Sequence, residues 1–450
     1  MEQSLVQRHL VEGKNSVLYG TDGNFIFYEK LANTIHSGGI EQLRTLQEKA
    51  ESVEYHPRFE SDSLMGRRND RFDALLLNAT ESCNLACEYC IYSGQYKNER
   101  TETTSSMGID VAKRALDIFL PQSSDFPYVG FYGGEPLCNM PFIKAVIDYT
   151  RISSPDKKLV FSMTTNFCDM DRYLEYIVNN GIYINMSLDG PKEVHDKFRK
   201  YKDGRPTHSK IMRNLEMVEE YAPGYIESHF SQNVTVHDIN DLPRIIDFFR
   251  KMRRFTVSRI SRTEIKGLNN PRNSNQKVNN VQYVFDYLEA IVAEEDPGIL
   301  KVLFDQDLKH IAARSQKVMP ETLMLNGSCY PGRRKLFVDT DGTFYMCEKF
   351  GKRVPIGNTE EGINEDLIED AIKRFTDIRN NLCSDCWAGR LCNVCIQSAK
   401  DSVSDISEKG LSQTCETKKS QLLIGMNLYV FISKRNHNRL SKYVQSIGFK

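Results

Sequence analysis

Three cysteines stand within one short stretch, "ATESCNLACEYCIYSG", spaced Cys83-x3-Cys87-x2-Cys90. A thiolate is a soft anionic ligand, and three in one loop can converge on a small metal centre. Zinc is the plain alternative, but a structural zinc site takes four ligands and ordinarily joins two nearby cysteines to a distant pair. Three thiolates without a local fourth suit instead an iron–sulfur cube in which one iron keeps an open position. Seven more cysteines follow far along the chain: Cys329, Cys347, Cys383, Cys386, Cys392, Cys395 and Cys415. Seven exceed the need of one four-ligand site, and two zinc knuckles are the plain alternative there. Cys138 and Cys168 complete the set of 12 and read as buried structural thiols.

The first cluster, with Tyr89 as the aromatic before its third cysteine, resembles the signature of the radical S-adenosylmethionine (SAM) superfamily. The likeness continues at the ends of three apolar runs: "GGEP" (Gly133, Gly134, Glu135, Pro136), "SMTTN" and "SLDGP". The resemblance implies that Cys83, Cys87 and Cys90 hold a [4Fe–4S] cluster whose open iron chelates the amine and carboxylate of SAM. It puts Tyr89 and the GGEP turn at the cofactor, the glycines letting backbone carbonyls approach and Glu135 supplying a carboxylate. Ser162, Thr165 and Asn166 would face the ribose or nearby atoms. Ser187 would sit near the SAM carboxylate, with Arg199 as its charge partner, since an Arg fork suits a carboxylate. The chemistry so implied is reductive cleavage of SAM to methionine and a 5′-deoxyadenosyl radical, which abstracts hydrogen from unactivated carbon.

The order of the distal cysteines resembles the SPASM extension of radical SAM enzymes, which holds two auxiliary [4Fe–4S] clusters. Carried over, Cys383, Cys386, Cys392 and Cys415 saturate one cluster, while Cys329, Cys347 and Cys395 hold the other. That leaves the second with three visible thiols and a fourth iron that a substrate thiol could ligate. One departure is that only Asn393 and Val394 separate the last pair, where three residues are usual. Glu348, directly after Cys347, lies where some relatives carry a carboxylate base and is the candidate catalytic residue.

These residues need elements to hold them. From Asp73 short apolar runs alternate with amphipathic stretches: "DALLLNAT", "YVGFYGG", "LVFSMTTN", "IYINMSLDG", "ESHFSQNVT" and "FTVSRISR" are strands with helices between them. Repeated strand–helix units argue for a parallel sheet. Six units are too few for a closed eight-stranded barrel, so the fold class is α/β with a partial, TIM-like (β/α)6 barrel over 73–262. Every motif above ends a strand, the position at which such folds build their sites. Residues 1–72 form a small separate unit: a hairpin turning at Asp22-Gly23, a helix in "GGIEQLRTLQEKAESV" and a linker in "HPRFESDSLMGRRNDR". By position and size this unit resembles leader-peptide recognition modules, with a cap on the barrel as the alternative. An Asn-rich loop and a helix bridge 263–325. The cysteine-rich SPASM domain runs over 326–415 around a hairpin at Asp341-Gly342. An apolar helix with a solvated basic end closes the chain over 416–450.

Lys plus Arg (59) nearly cancels Asp plus Glu (60), so no global field argues for nucleic acid or an anionic membrane. The run "LLIGMNLYVFIS" is too short to span a bilayer, and no secretory signal opens the chain. A cytoplasmic protein is expected, where clustered thiols serve metals rather than disulfides. SPASM relatives act on peptides or proteins. The expectation is therefore an enzyme that matures a ribosomal precursor peptide carrying a leader, most readily by thioether formation, with ferredoxin or flavodoxin as electron donor. Carbon–carbon cross-linking, epimerisation and anaerobic formylglycine formation on a sulfatase are enzymatic alternatives. A zinc-ribbon scaffold is the non-enzymatic one.

Overall fold

The structure, a computed structural model, describes residues 9–21, 24–65, 71–96, 99–252, 256–262, 281–316, 318, 320–400 and 406–447. The expected Asp22-Gly23 turn and the Asn-rich loop lie outside them. The chain divides into two compact units. One comprises Met1–Arg67, Asn279–Cys329 and Glu369–Lys450, the other Arg68–Val278 and Tyr330–Ile368.

In the first unit an antiparallel sheet runs in the order β1 (His9–Glu12), β2 (Ser16–Thr21), β3 (Asn24–Glu29), β4 (Thr34–Gly38). Strand alternation sends Leu18, Phe25 and Phe27 to one face, against Leu43 and Ala50 of the helix Ile40–Glu51. Val17, Tyr19, Ile26 and Tyr28 go to the other, against Ile311, Trp387, Leu391 and Met426. Both faces are thus covered. The expected hairpin is β2–β3, and β1 and β4 are additions to it. Where a linker was expected, β5 (Arg58–Phe59) instead seats a buried Phe59, whose backbone exchanges two hydrogen bonds with the Asn380 side chain at 2.7 and 3.1 Å.

The second unit contains the six expected barrel strands: β6 (Phe72–Thr80), β7 (Ser123–Gly133), β8 (Val160–Thr165), β9 (Tyr183–Ser187), β10 (Phe230–Val236) and β11 (Thr256–Arg262), all parallel. Helices on the intervening segments bury Leu116, Phe119, Ile143 and Ile147, so the sheet can be apolar on both sides. In the first unit again, β12 (Thr322–Leu323) pairs with β5. Next, β13 (Leu336–Val338) adds to β6 in parallel, Leu336 opposite Leu75, and β14 (Thr343–Tyr345), β15 (Pro355–Asn358) and β16 (Gly362–Ile363) continue antiparallel. The Asp341-Gly342 hairpin read as part of the cysteine-rich domain therefore extends the barrel sheet.

The C-terminal helix spans Glu408–Ser446, its start capped by Ser407, with non-helical angles at Asn436 (φ −158°, ψ 86°). The Asn436 side chain accepts from Arg439 N–H at 2.9 Å and so restarts the helix. The basic end is not a solvated tail. Leu440 and Tyr443, three apart on one face, are buried, and Tyr443 donates to Asp305 at 2.8 Å. Among the described residues no helix is long and apolar enough to cross a membrane.

Candidate active site

Beyond Thr80, β6 runs directly into the cysteine loop. Cys83, Cys87 and Cys90 are free and partly exposed. Cys83 Sγ accepts from Leu85 N–H and Cys90 Sγ from Tyr92 N–H, each at 3.4 Å, and Asn166 Nδ2 lies 3.8 Å from Cys83 Sγ. Burial pushes the Cys83 thiol far up, and the charges of Glu135, Cys87 and Cys90 add to this. Burial also raises Cys87, to about 11, although Arg199 pulls it back. Three such thiols ionise together only against concentrated positive charge, with N–H donors turned to sulfur. That donor set fits a [4Fe–4S] centre.

The GGEP turn is laid on the backbone just ahead of Cys83. A Cβ on Gly133 (φ 131°) would stand 2.2 Å from Thr80 O, and one on Gly134 2.4 Å from Ser82 O. Gly134 N–H donates to Thr80 O at 2.8 Å and Glu135 N–H to Ser82 O at 2.9 Å. The glycines therefore serve close approach to the cysteine loop. The buried Glu135 carboxylate accepts from Leu137 N–H (3.0 Å), Thr165 Oγ1 (2.7 Å) and Asn166 N–H (2.7 Å), tying the end of β7 to that of β8. Burial raises its pKa to about 7 against the pull of those hydrogen bonds. Pro136 opens the short turn Pro136–Asn139. Asn166 donates to Asn84 in the cysteine loop at 2.7 Å, Ser162 is buried on β8, and Ser187 ends β9 opposite Asn233.

Arg199 is buried and donates from Nε to Asp189 Oδ2 at 2.8 Å; the Tyr89 hydroxyl donates to the same oxygen at 2.6 Å, and Thr235 N–H to the other at 2.9 Å. Asp189 was not among the expected site residues. Its signal was a carboxylate at a strand end, with an Arg ten positions on, just past the next helix. His195, also unforeseen, is buried, accepts at Nδ1 from Asp189 N–H (3.2 Å) and meets Thr207 Oγ1 through Nε2 (3.0 Å). Beside Tyr89, ring centroids 4.1 Å apart, stands His237, just past β10, with neither buried ring nitrogen hydrogen-bonded among the described residues.

Glu348 follows β14 and accepts from Lys335 Nζ at 3.1 Å; its Oε2 is buried without a partner among the described residues. The backbone around it is gripped by Arg100, which donates to Phe350 O at 2.6 Å and Glu348 O at 3.4 Å and pairs with Asp339 at 3.2 Å, both side chains 1% exposed. A polar cleft of about 450 Å³ opens beside the cysteine loop, lined by Ser82, Tyr92, Gly94, Glu102, Thr103 and Lys202. Cys168 is buried as expected, but Cys138 is exposed, because the turn Pro136–Asn139 presents it outward.

Of the distal cysteines, Cys347 belongs to the second unit and the other six to the first. Burial raises the Cys383 thiol to about 12; Arg379 lowers it, and the charges of Cys392, Cys386 and Cys415 raise it further, which marks these four thiols as neighbours. A Cβ on Gly389 would lie 2.4 Å from Cys383 O, so the loop between Cys383 and Cys392 is tightly wound. Arg379 is fully buried, and among the described residues its Nε and Nη1 have no hydrogen-bond partner. Orphaned donors beside four thiols fit an anionic cluster. Among the described residues no three Cys, His, Asp or Glu side chains stand close enough to grip one metal ion.

Residues 77–251 match the radical SAM superfamily, and residues 329–387 match SPASM, an iron–sulfur cluster-binding domain. Among curated proteins, the cysteine-type anaerobic sulfatase-maturating enzyme of Clostridium novyi (strain NT) is 24% identical over 71% of this chain and 86% of its own length. That of Clostridium perfringens (strain 13 / Type A) is 24% identical over 77% of this chain and 94% of its own. The solved structure of anSMEcpe with bound AdoMet shares the fold, with a TM-score of 0.61 at 21% identity over 83% of this chain and 98% of that one.

Proposed function

We propose that this chain, a radical SAM protein with a SPASM iron–sulfur domain, modifies a ribosomally made precursor peptide by joining a cysteine sulfur to carbon. SAM and [4Fe–4S] clusters, when bound, supply a carbon-centred radical and a sink for one electron. Cys83, Cys87 and Cys90 would hold the SAM-binding cluster, and the distal seven the two auxiliary ones. The residues at the ends of β7, β8 and β9 would orient SAM. Thioether formation from a thiol and a C–H bond removes one hydrogen atom, one proton and one electron. The proposed proton acceptor is Glu348, whose Oε2 is buried without a partner among the described residues. With three protein thiols, Cys329, Cys347 and Cys395, the remaining auxiliary position suits a substrate thiolate.

The observation that carries the peptide reading is the edge of the N-terminal sheet. Strand β1 has β2 as its strand partner, and Leu10 and Val11 on it are 40% and 51% exposed. Apolar side chains on an open edge suit an added peptide strand. A second reading, formylglycine formation on a sulfatase, is favoured by the two clostridial relatives.

Anaerobic reconstitution with SAM, a reductant and a candidate precursor peptide tests both. About twelve irons per chain, 5′-deoxyadenosine release and a peptide lighter by two hydrogens support the thioether reading. A cysteine that loses sulfur and gains a carbonyl oxygen supports the second. Zinc in place of iron, or no SAM cleavage, overturns both.

A further inference from the structure

We propose that Lys30, carried by the N-terminal sheet, sets the redox level of the centre held by Cys383, Cys386, Cys392 and Cys415. The proposal rests on those four cysteines forming one centre. Lys30 follows β3 and is completely buried. Its Nζ donates to Ser384 O at 2.8 Å, the carbonyl of the residue after Cys383, and lies 5.4 Å from the centre of the Tyr55 ring. Among the described residues it forms no ion pair. Burying an ammonium costs several kcal/mol, and one carbonyl and one ring offset only part of that. Burial lowers the Lys30 pKa, and the charges of Cys386, Asp385 and Glu51 pull it back up. The anion assigned to Lys30 is the thiolate-ligated cluster, whose ligand Cys383 adjoins the Ser384 carbonyl that Lys30 grips.

Two other cations near the thiols behave differently. Lys419 is already neutralised by Glu12, with Glu416 at 3.7 Å. Arg379 is rooted in the helix that ends at Cys383 and lends donors as well as charge. Lys30 comes instead from the sheet that packs Val17, Tyr19, Ile26 and Tyr28 against Trp387, Ala388 and Leu391, the loop between Cys386 and Cys392. Four thiolates around an oxidised cube leave net negative charge, and reduction adds one more. A buried, unshared positive charge favours the reduced state, so the centre takes up an electron more readily with Lys30 present.

The test is a redox titration followed by electron paramagnetic resonance in the Cys83/Cys87/Cys90→Ala background, where only auxiliary signals remain. With Lys30→Gln we expect one of the two auxiliary potentials to fall by about tenfold in reduction equilibrium, 59 mV for one electron. The other should stay, and the iron content should be unchanged. Lys30→Arg should hold the original value, and Lys419→Gln should move it far less. If Lys30→Gln fails to load iron, Lys30→Met, which keeps the apolar stem packed, is read the same way. Full iron with both potentials unmoved, or an equal shift in Lys30→Arg, overturns the role of Lys30. A Cys415→Ser protein that keeps all its iron overturns the ligand assignment beneath it, a separate failure.

Discussion

The hydroxyl of Tyr89 donates to Asp189 Oδ2 at 2.6 Å across 100 residues of sequence, and so binds the cysteine loop to the end of β9. Arg199 shares that oxygen and lies over the Tyr89 ring at 5.2 Å, so one buried carboxylate orients an aromatic and a guanidinium at the cluster site. Burial alone would raise the Asp189 pKa, but Arg199 holds the carboxyl below the usual range.

Asp189→Asn leaves the buried Arg199 without its counter-charge, a loss of about 3–5 kcal/mol. Tyr89→Phe removes one hydrogen bond, about 1 kcal/mol. Denaturant unfolding should rank the two in that order. Equilibrium dialysis should show weakened SAM binding in Asp189→Asn at a temperature where the variant is still folded. Equal destabilisation by the two changes would refute the ion-pair account.

Gly134→Ala places a methyl 2.4 Å from the Ser82 carbonyl oxygen, so backbone rather than a flexible side chain must move. The expected cost is roughly 1–3 kcal/mol. The first cluster should suffer specifically, with about four of twelve irons lost and the auxiliary signals kept. Cys138→Ala, at an exposed thiol one turn away, should change neither iron nor stability. Full iron in Gly134→Ala would contradict the close approach.

Acid sensitivity should arise in part from His195. Burial holds its pKa at about 3, below the ordinary 6.5, while its Nδ1 accepts from the Asp189 N–H. Because the folded value is depressed, the unfolded chain binds the proton more readily. Stability from the neutral ring is complete above about 6.5 and is lost as pH falls toward 3. His237, lowered by burial to about 4, acts in the same direction. Unfolding measured across that window should show a shallower slope for His195→Gln than for the parent, and an unchanged slope would refute the assignment.

The barrel was legible because its strands are buried on both faces and read as short apolar runs; on β6, Leu75, Leu77 and Ala79 on one face and Ala74 and Asn78 on the other are all buried. The cysteine spacings were equally plain, since ligand sets close in sequence leave a local pattern. Strands β1 and β4 were not, because "HLVE" and "TIHSG" are short and mostly polar, and they owe their strand form to the neighbours they pair with. The junction of β13 with β6 joins Leu336 to Leu75, a pairing that no local period announces. Asp189 was not legible as a site residue because two of its partners, Tyr89 and Thr235, are remote in sequence. The basic C-terminal stretch misled because its charges hid Leu440 and Tyr443, three apart on one helical face.

The peptide reading makes a demand on β1 that the barrel does not share. In this strand Leu10 pairs with Tyr19 and Val11 with Leu18, and the Gln47 side chain donates to the Val11 carbonyl at 3.2 Å. Val11 is half exposed, so Val11→Lys should alter stability by no more than about 0.5 kcal/mol. A lysine on a strand edge discourages pairing with another strand. If the precursor adds there, the KM for peptide should rise about tenfold, equivalent to about 1.4 kcal/mol of binding. Release of 5′-deoxyadenosine without peptide should stay as it was, because the cysteine loop and the ends of β7 to β9 are untouched. A normal peptide KM with normal SAM cleavage would return the sheet to a purely structural part, and peptide capture would then have to be sought at the cleft beside Glu102 and Lys202.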